Sequence, residues 1–235
     1  MELDGLVDAS WEQTTLIVTI DGPAGAGKST AARQLASRLG FDHLDTGAMY
    51  RAVTLACLRR GIDARDETAL DGVLTEMDLV LESPHVLLNG EDVSLAIREP
   101  AITSRVKEFA DSAKVRQFMV EAQRRFAVGR RLVTEGRDQG TVVFPEAPCK
   151  FFLTADEAVR AERRQVELGE SGHVVSLTAL RDQQRTRDQE DRERSLAPLR
   201  PAEDAEIVDS SDLTLDEVLD HLEQRVREQM GPVEK

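Results

Sequence analysis

The sequence predicts an α/β protein whose core is a five-stranded parallel sheet covered by helices. Three observations predict it. Strand-length apolar runs alternate along the 235-residue chain with longer stretches of helical periodicity. The first of those runs, Leu16 to Ile20, is apolar or β-branched throughout, as suits a strand buried on both faces. The first of them meets a glycine-rich turn that opens an amphipathic stretch, which is a strand–turn–helix unit.

Taken in order, residues 1–15 read as a loose acidic leader, without the basic start and apolar centre of a secretion signal. Leu16 to Ile20 is the first strand. Gly22-Pro23-Ala24-Gly25-Ala26-Gly27-Lys28-Ser29 follows and fits G-x-x-x-x-G-K-[ST], with Thr30 continuing into the helix. Ala32, Leu35, Ala36 and Leu39 mark that helix, and Gly40 sits where a terminator belongs. Phe41 to Asp45 is a second strand. Thr46-Gly47 opens another helix, which Gly61 stops.

The middle changes character. Asp66 to Met77 looks helical. Asp78 to Glu82 and Val86 to Val93 look like short antiparallel strands, with turns at Ser83-Pro84 and Asn89-Gly90. Antiparallel hairpins within an alternating βα chain predict an inserted subdomain over 63–100. Helical pattern returns up to Val128. Arg131 to Gly136 and Cys149 to Thr154 are the third and fourth core strands. Thr154-Ala155-Asp156-Glu157 has capping-box spacing before a long Arg-rich helix, which Gly169 to Gly172 breaks. Ser176 starts a second polar helix, through Arg194. Glu206 to Ser210 is the last strand. Thr214 to Glu217 forms a second capping box, and Leu215, Val218, Leu219, Leu222 and Val226 predict the buried stripe of the last helix.

In such a sheet ligands bind beyond the carboxyl ends of the strands, so the glycine turn, "LDTG", "EGRD" and "LTA" are expected on one edge. The glycine turn says polyphosphate: its amides face the phosphates at a helix N-terminus, Lys28 bridges them and Ser29 holds Mg²⁺. Thr46 and Arg51 could both reach an acceptor phosphate, although Asp-Thr-Gly also makes an ordinary helix cap. In "EGRDQGTVVFP" Arg137 would neutralise phosphate while Asp138 accepts from an amine or hydroxyl. A strand-end turn with a structural ion pair is the alternative. Arg187, Asp188, Asp191 and Arg194 alternate in sign near helical spacing. With Arg160, Arg163 and Arg164 on the preceding helix they predict a two-helix flap that brings arginines to the phosphates, or else a solvated salt-bridged surface.

Net charge is -14, which argues against a protein whose main task is gripping nucleic acid. Yet 25 of the 30 basic residues are arginines, whose planar fork suits phosphate. Two distant cysteines, Cys57 and Cys149, point to a reduced cytoplasmic setting. No apolar run is long enough to span a bilayer, and the four histidines lack metal-ligand spacing. Nothing demands an interface, so a monomer is expected. No catalytic His, Cys or Ser constellation stands out, and transfer to an acceptor that is already an anion needs none.

"IDGPAGAGKST", "LDTGAMYRAV", "GRDQGTVVFP", "FLTADEAVRAERR" and "RDQEDRERSLAPLRPAEDA", in this order from about Leu16 to Glu228, resemble the bacterial cytidylate kinases of the nucleoside monophosphate kinase group. The resemblance implies a P-loop kinase with a core (16–62, 101–156 and 195–230), an enlarged acceptor-binding subdomain (63–100) and a mobile lid (157–194). It implies ATP and CMP or dCMP as substrates and Mg²⁺ as cofactor. ATP would be held by Gly22 to Thr30 and Arg163. Asp45, Thr46, Tyr50, Arg51, Arg116, Arg137, Asp138, Arg187, Asp191 and Arg194 would form the CMP pocket, with Arg51 and Arg137 on the phosphate and Asp138 on cytosine. Lys28, Arg137, Arg187 and Arg194 would be catalytic.

Two departures stand out. Glu135 replaces the family's usual Asp before the "GRD" glycine. The family's base-contacting serine falls on Lys107 by spacing, with Ser104 three residues away. A shikimate- or thymidylate-type kinase, or a nucleotide-dependent regulator without acceptor, would share the glycine turn but not both arginine-rich loops.

Overall fold

The computed structural model describes residues 15–82, 85–170 and 175–230. Five parallel strands form the main sheet: β1 (Leu16–Asp21), β2 (Asp42–Asp45), β6 (Arg131–Gly136), β7 (Cys149–Thr154) and β8 (Glu206–Asp209), in spatial order β2-β6-β1-β7-β8. A second sheet holds β3 (Leu79–Glu82), β4 (His85–Leu88) and β5 (Glu91–Asp92), antiparallel and in that order. Asn89 and Gly90 both take positive φ, 51° and 80°, which is what a tight β4–β5 turn requires. The expected turn at Ser83-Pro84 lies outside the described residues, as do residues 1–14 of the expected leader.

Register fixes the functional edge. Asp21 pairs with Gly136 on one side and Phe152 on the other, Asp45 with Glu135, and Thr154 with Asp209. The chain leaves β1 toward β2 and later crosses β1 to reach β7, so the ends of β1 and β6 flank a topological switch point, where crevices form in open α/β sheets.

Two apolar layers cover the sheet. On one face α1 (Lys28–Leu39) and α9 (Leu215–Met230) pack Ala32, Leu35, Leu219 and Leu222, all 0% exposed, onto Val18, Ile20 and Val133. Each such leucine contributes roughly 1.5–3 kcal/mol by burial. The α9 stripe runs through Val218, Leu219, Leu222 and Val226, but Leu215, expected in it, stands 39% exposed at the helix start. On the other face α2 (Thr46–Arg59), α3 (Glu67–Glu76) and α6 (Ala113–Ala127) enclose one cluster, in which Leu70, Val86 and Leu88 pack with Leu44, Val53 and Met119. The segment expected as an insertion therefore shares its core with one face of the main sheet. Short helices α4 (Pro100–Thr103) and α5 (Val106–Ala110) complete this side.

Helices α7 (Glu157–Glu170) and α8 (Leu177–Glu193) pack against each other over the carboxyl edge. Ser176 caps α8, accepting from Ala179 N at 3.2 Å. Gly169 lies inside α7, so the expected break begins later, and residues 171–174 fall outside the described residues. The capping box expected at Thr154 does not form: Thr154 ends β7, and its carbonyl accepts from the Ser210 amide at 2.8 Å. The box at Thr214 and Glu217 forms reciprocally, at 2.8 and 3.3 Å. No helix among the described residues is long and apolar enough to cross a membrane.

Candidate active site

Gly22 opens the phosphate turn with φ 149°, and a Cβ there would stand 2.0 Å from the Leu153 carbonyl oxygen. Only glycine lets the turn pass so close to β7. The turn then delivers Lys28 and Ser29 at the start of α1. Lys28 is 5% exposed and donates to the Pro23 carbonyl at 2.7 Å. Burial, and after it the cation of Arg137, pull its pKa down to about 7, against the opposing pull of Glu135. Ser29 Oγ donates to Glu135 Oε1 at 2.8 Å across the gap between α1 and β6. A hydroxyl and a carboxylate thus stand side by side beside the turn, the oxygen chemistry Mg²⁺ takes. Glu135, with its extra methylene, reaches this serine.

A cleft of about 1030 Å³ runs from the turn toward α2, α4, α7 and α8. Its walls carry Lys28, Arg51, Arg98, Arg137, Arg163, Arg164 and Arg187 against Asp45, Glu135 and Glu167. This cationic surplus, set in an acidic chain, is the electrostatic form of an anion site. Arg187 feels Arg137 strongly: desolvation and that neighbouring cation lower its pKa, and Asp191 opposes them. Arg137 is aimed by Asp191, to which its Nε donates at 2.8 Å, and Arg194 Nη1 lies 4.0 Å from the same carboxylate. Burial raises the Asp191 carboxyl, but Arg137, Arg194 and Arg187 outweigh it and hold the pKa below the usual range. Arg137 and Lys28 therefore share one wall.

Asp45 caps a helix and faces two arginines. Oδ1 caps α2 through the Ala48 amide at 2.7 Å, while Oδ2 stands 3.5 Å from Arg51 Nη2 and 3.9 Å from Arg98. The Thr46 hydroxyl donates its proton to the Glu135 carbonyl at 2.7 Å, which leaves its oxygen only as an acceptor. Behind the cleft wall Arg116 donates to Asp138, a pair 9% and 7% exposed at the side chains. Tyr50 lies in their field and that of Arg194; burial pushes its hydroxyl up to about 12, so it stays protonated and can donate. Among the described residues, buried Arg51 Nε and Arg194 Nη2 have no hydrogen-bond partner. Unmet guanidinium donors of this kind are what an anion or ribose would satisfy.

Some residues behave otherwise than their sequence context suggested. Arg160 faces no open cleft: it is 4% exposed, pairs with Asp188 Oδ2 at 2.6 Å, and donates to the Ala24 carbonyl at 2.9 Å. Asp188 Oδ1 in turn accepts from the Ala24 amide at 3.3 Å. The base of the α7–α8 pair is thereby fastened to the phosphate turn. Arg163 lines the cleft but holds Ser210, through its hydroxyl at 3.0 Å and its carbonyl at 2.7 Å. Ser104 is exposed just past the end of α4 and Lys107 pairs with Glu190 of α8 at 3.0 Å; neither lies among the cleft-lining residues. Sequence reasoning missed Arg98 altogether; it reaches the site only because the turn at residues 96–98 stacks on α2, and no local pattern signals that. Among the described residues no group of three or more His, Cys, Asp or Glu side chains is arranged to hold a metal.

A central strand ending in a phosphate turn, with a second arginine cluster converging on the same cleft, defines a P-loop kinase. The cytidylate kinase family model matches residues 18–228, and the chain belongs to that family. It is 47% identical over 213 residues to the cytidylate kinase of Rhodopirellula baltica, covering 91% of this chain and 93% of that protein. It is 45% identical to that of Nocardia farcinica, covering 94% and 97%. Among solved structures, an uncharacterized protein from Eubacterium ventriosum shares the fold, with a TM-score of 0.51 at 12% identity over 91% of this chain and 99% of that one.

Proposed function

We propose that the chain transfers the γ-phosphoryl group of ATP to CMP or dCMP, giving CDP or dCDP. The observation that supports this is the shared cleft: Lys28, Arg187 and Arg137, the last tethered by Asp191, line it together, so one cation set can face both a donor and an acceptor phosphate. An oxygen of the monophosphate attacks the γ-phosphorus, and the bond to the β,γ-bridging oxygen breaks. The attacking group is largely a dianion at neutral pH, so no side chain need take a proton from it.

In this reading the amides of Gly22 to Thr30 and Lys28 hold the triphosphate, with Arg163 and the Ser210 loop beside the nucleoside. Arg51, Arg137 and Arg194 hold the acceptor phosphate, and Arg187 neutralises charge between the two. Arg116, Asp138 and Tyr50 read the cytosine, with Asp191 near the ribose. Mg²⁺ would sit at Ser29 and Glu135, where it supplies further charge neutralisation on the phosphates. Residues 63–100 form the acceptor-binding part, 157–194 the lid, and the remainder of 16–230 the core. The enzyme works as a monomer in the cytoplasm, without nucleic-acid or membrane partners; buried free Cys57 and Cys149 suit that setting.

The test is ADP release from ATP with CMP, dCMP, UMP, shikimate, dTMP or no acceptor. CMP and dCMP should give the fastest turnover. Acceptor-independent hydrolysis alone, or preference for shikimate or dTMP, would overturn the reading.

A further inference from the structure

One buried carboxylate ties the acceptor loop to the donor strand. Asp21 is the last residue of β1, 4% exposed, immediately before Gly22 of the phosphate turn. Its Oδ1 accepts from the Gln139 amide at 2.9 Å and its Oδ2 from the Gly140 amide at 2.8 Å. Those amides open a single π turn over Gln139–Val143. Sheet pairing of β6 with β1 ends at Asp21 and Gly136. Arg137 and Asp138 therefore ride on a two-residue arch, pinned by the sheet on one side and by Asp21 on the other. The far pin is tightly packed: a Cβ on Gly140 would stand 3.0 Å from Thr19 Oγ1, 3.2 Å from Lys150 Cδ and 3.5 Å from Asp21 Oδ2.

The residue type matters. A carboxylate offers two acceptor oxygens to two N–H groups, whereas an amide satisfies one and turns its NH₂ on the other. Burial pushes the Asp21 pKa up to about 6 and Asp138 adds to that, while the two amides and Lys28 pull it down, so the group is ionised at neutral pH. Asp21 is absent from the walls of the cleft.

We propose that Asp21 is a positioning residue for phosphoryl transfer: by clasping the Gln139 and Gly140 amides it sets Arg137 at its working distance from Lys28, and so aligns acceptor with donor. This rests on the function proposed above. The arch carries acceptor contacts alone, so its displacement should spare ATP binding and fall hardest on the step in which both substrates are aligned. A misplacement of about 1 Å is enough to cost roughly 10²-fold in rate.

The experiment compares wild type with Asp21→Asn, folded by circular dichroism, in three measurements. These are kcat with ATP and CMP, the separate affinities for ATP and CMP, and the affinity for a bisubstrate analogue joining adenosine and cytidine through five phosphates. The expected result is a kcat about 10–100-fold lower, a similar loss in analogue affinity, a smaller loss in CMP affinity, and nearly unchanged binding of ATP. An unchanged kcat overturns the proposal, as does an equal weakening of ATP, CMP and analogue, which would mean general loosening. Should Asp21→Asn fail to fold, Gly140→Ala decides: its methyl crowds Thr19 Oγ1 and Lys150 Cδ beside the clasp with the Asp21 charge intact, and the same pattern is expected. Wild type lacking CMP-dependent ADP release would sink the functional reading. Active wild type with an indistinguishable variant would sink only the role of Asp21.

Discussion

Replacing Asp188 by alanine should cost far more than its place on a polar helix suggests. Its ion pair with Arg160 is 4% and 5% exposed at the side chains, with an N···O distance of 2.6 Å. Removing the carboxylate leaves a guanidinium in the interior with only the Ala155 and Ala24 carbonyls as partners. Breaking a buried pair from one side typically costs about 3–5 kcal/mol, because the remaining charge is uncompensated. In a chain of this size each kcal/mol shifts Tm by roughly 2–4 °C, so the expected loss is about 6–20 °C. The double replacement Arg160→Met with Asp188→Leu removes both charges at similar volume and should recover most of that stability. It should not recover turnover, because the pair also grips Ala24 through its amide and carbonyl and holds Arg187 next along α8. Urea unfolding followed by circular dichroism gives the three stabilities, and ADP release gives the activities. A single-variant cost under about 1 kcal/mol, or a double variant no more stable than Asp188→Ala, would refute the reasoning.

Arg137→Ala should lower kcat on the order of 10³-fold while leaving ATP affinity nearly intact, measured by steady-state kinetics and calorimetry; an equal loss of ATP affinity would move Arg137 to the donor side. Asp138→Asn keeps an acceptor for Arg116 but presents an amine, and should erode discrimination of CMP from UMP by about tenfold or more in kcat/KM; an unchanged ratio would remove Asp138 from base reading. For Lys28 the folded pKa, about 7, lies below the ordinary lysine value of 10.5. Between those values the unfolded chain binds more protons, so this group's contribution to stability rises with pH across that window. Triphosphate favours the charged amine, so ATP binding at pH 8 should take up protons, seen as a buffer-dependent calorimetric enthalpy; no uptake would show that Lys28 is already charged in the free protein.

The sequence by itself determined the frame. Strand-length apolar runs, the G-x-x-x-x-G-K-[ST] turn and the 3.6-residue stripe of α9 are local patterns, and each formed as its spacing demands because burial and backbone geometry act over a few residues. Order in the sheet then carries Gly22 to Ser29, Asp45 and Arg137 to one edge with no further information. Only the tertiary structure decided what each arginine meets. Arg160, Arg163 and Arg187 look alike in sequence, yet the first meets Asp188, 28 residues on, the second holds Ser210, and the third faces the cleft beside Arg137. It also decided that Glu135 meets Ser29, that Arg98 reaches Asp45, and that Asp21 meets the Gly140 amide 119 residues away. A charged group's role depends on what lies within hydrogen-bond reach of it, and partners so far apart along the chain leave no periodic trace.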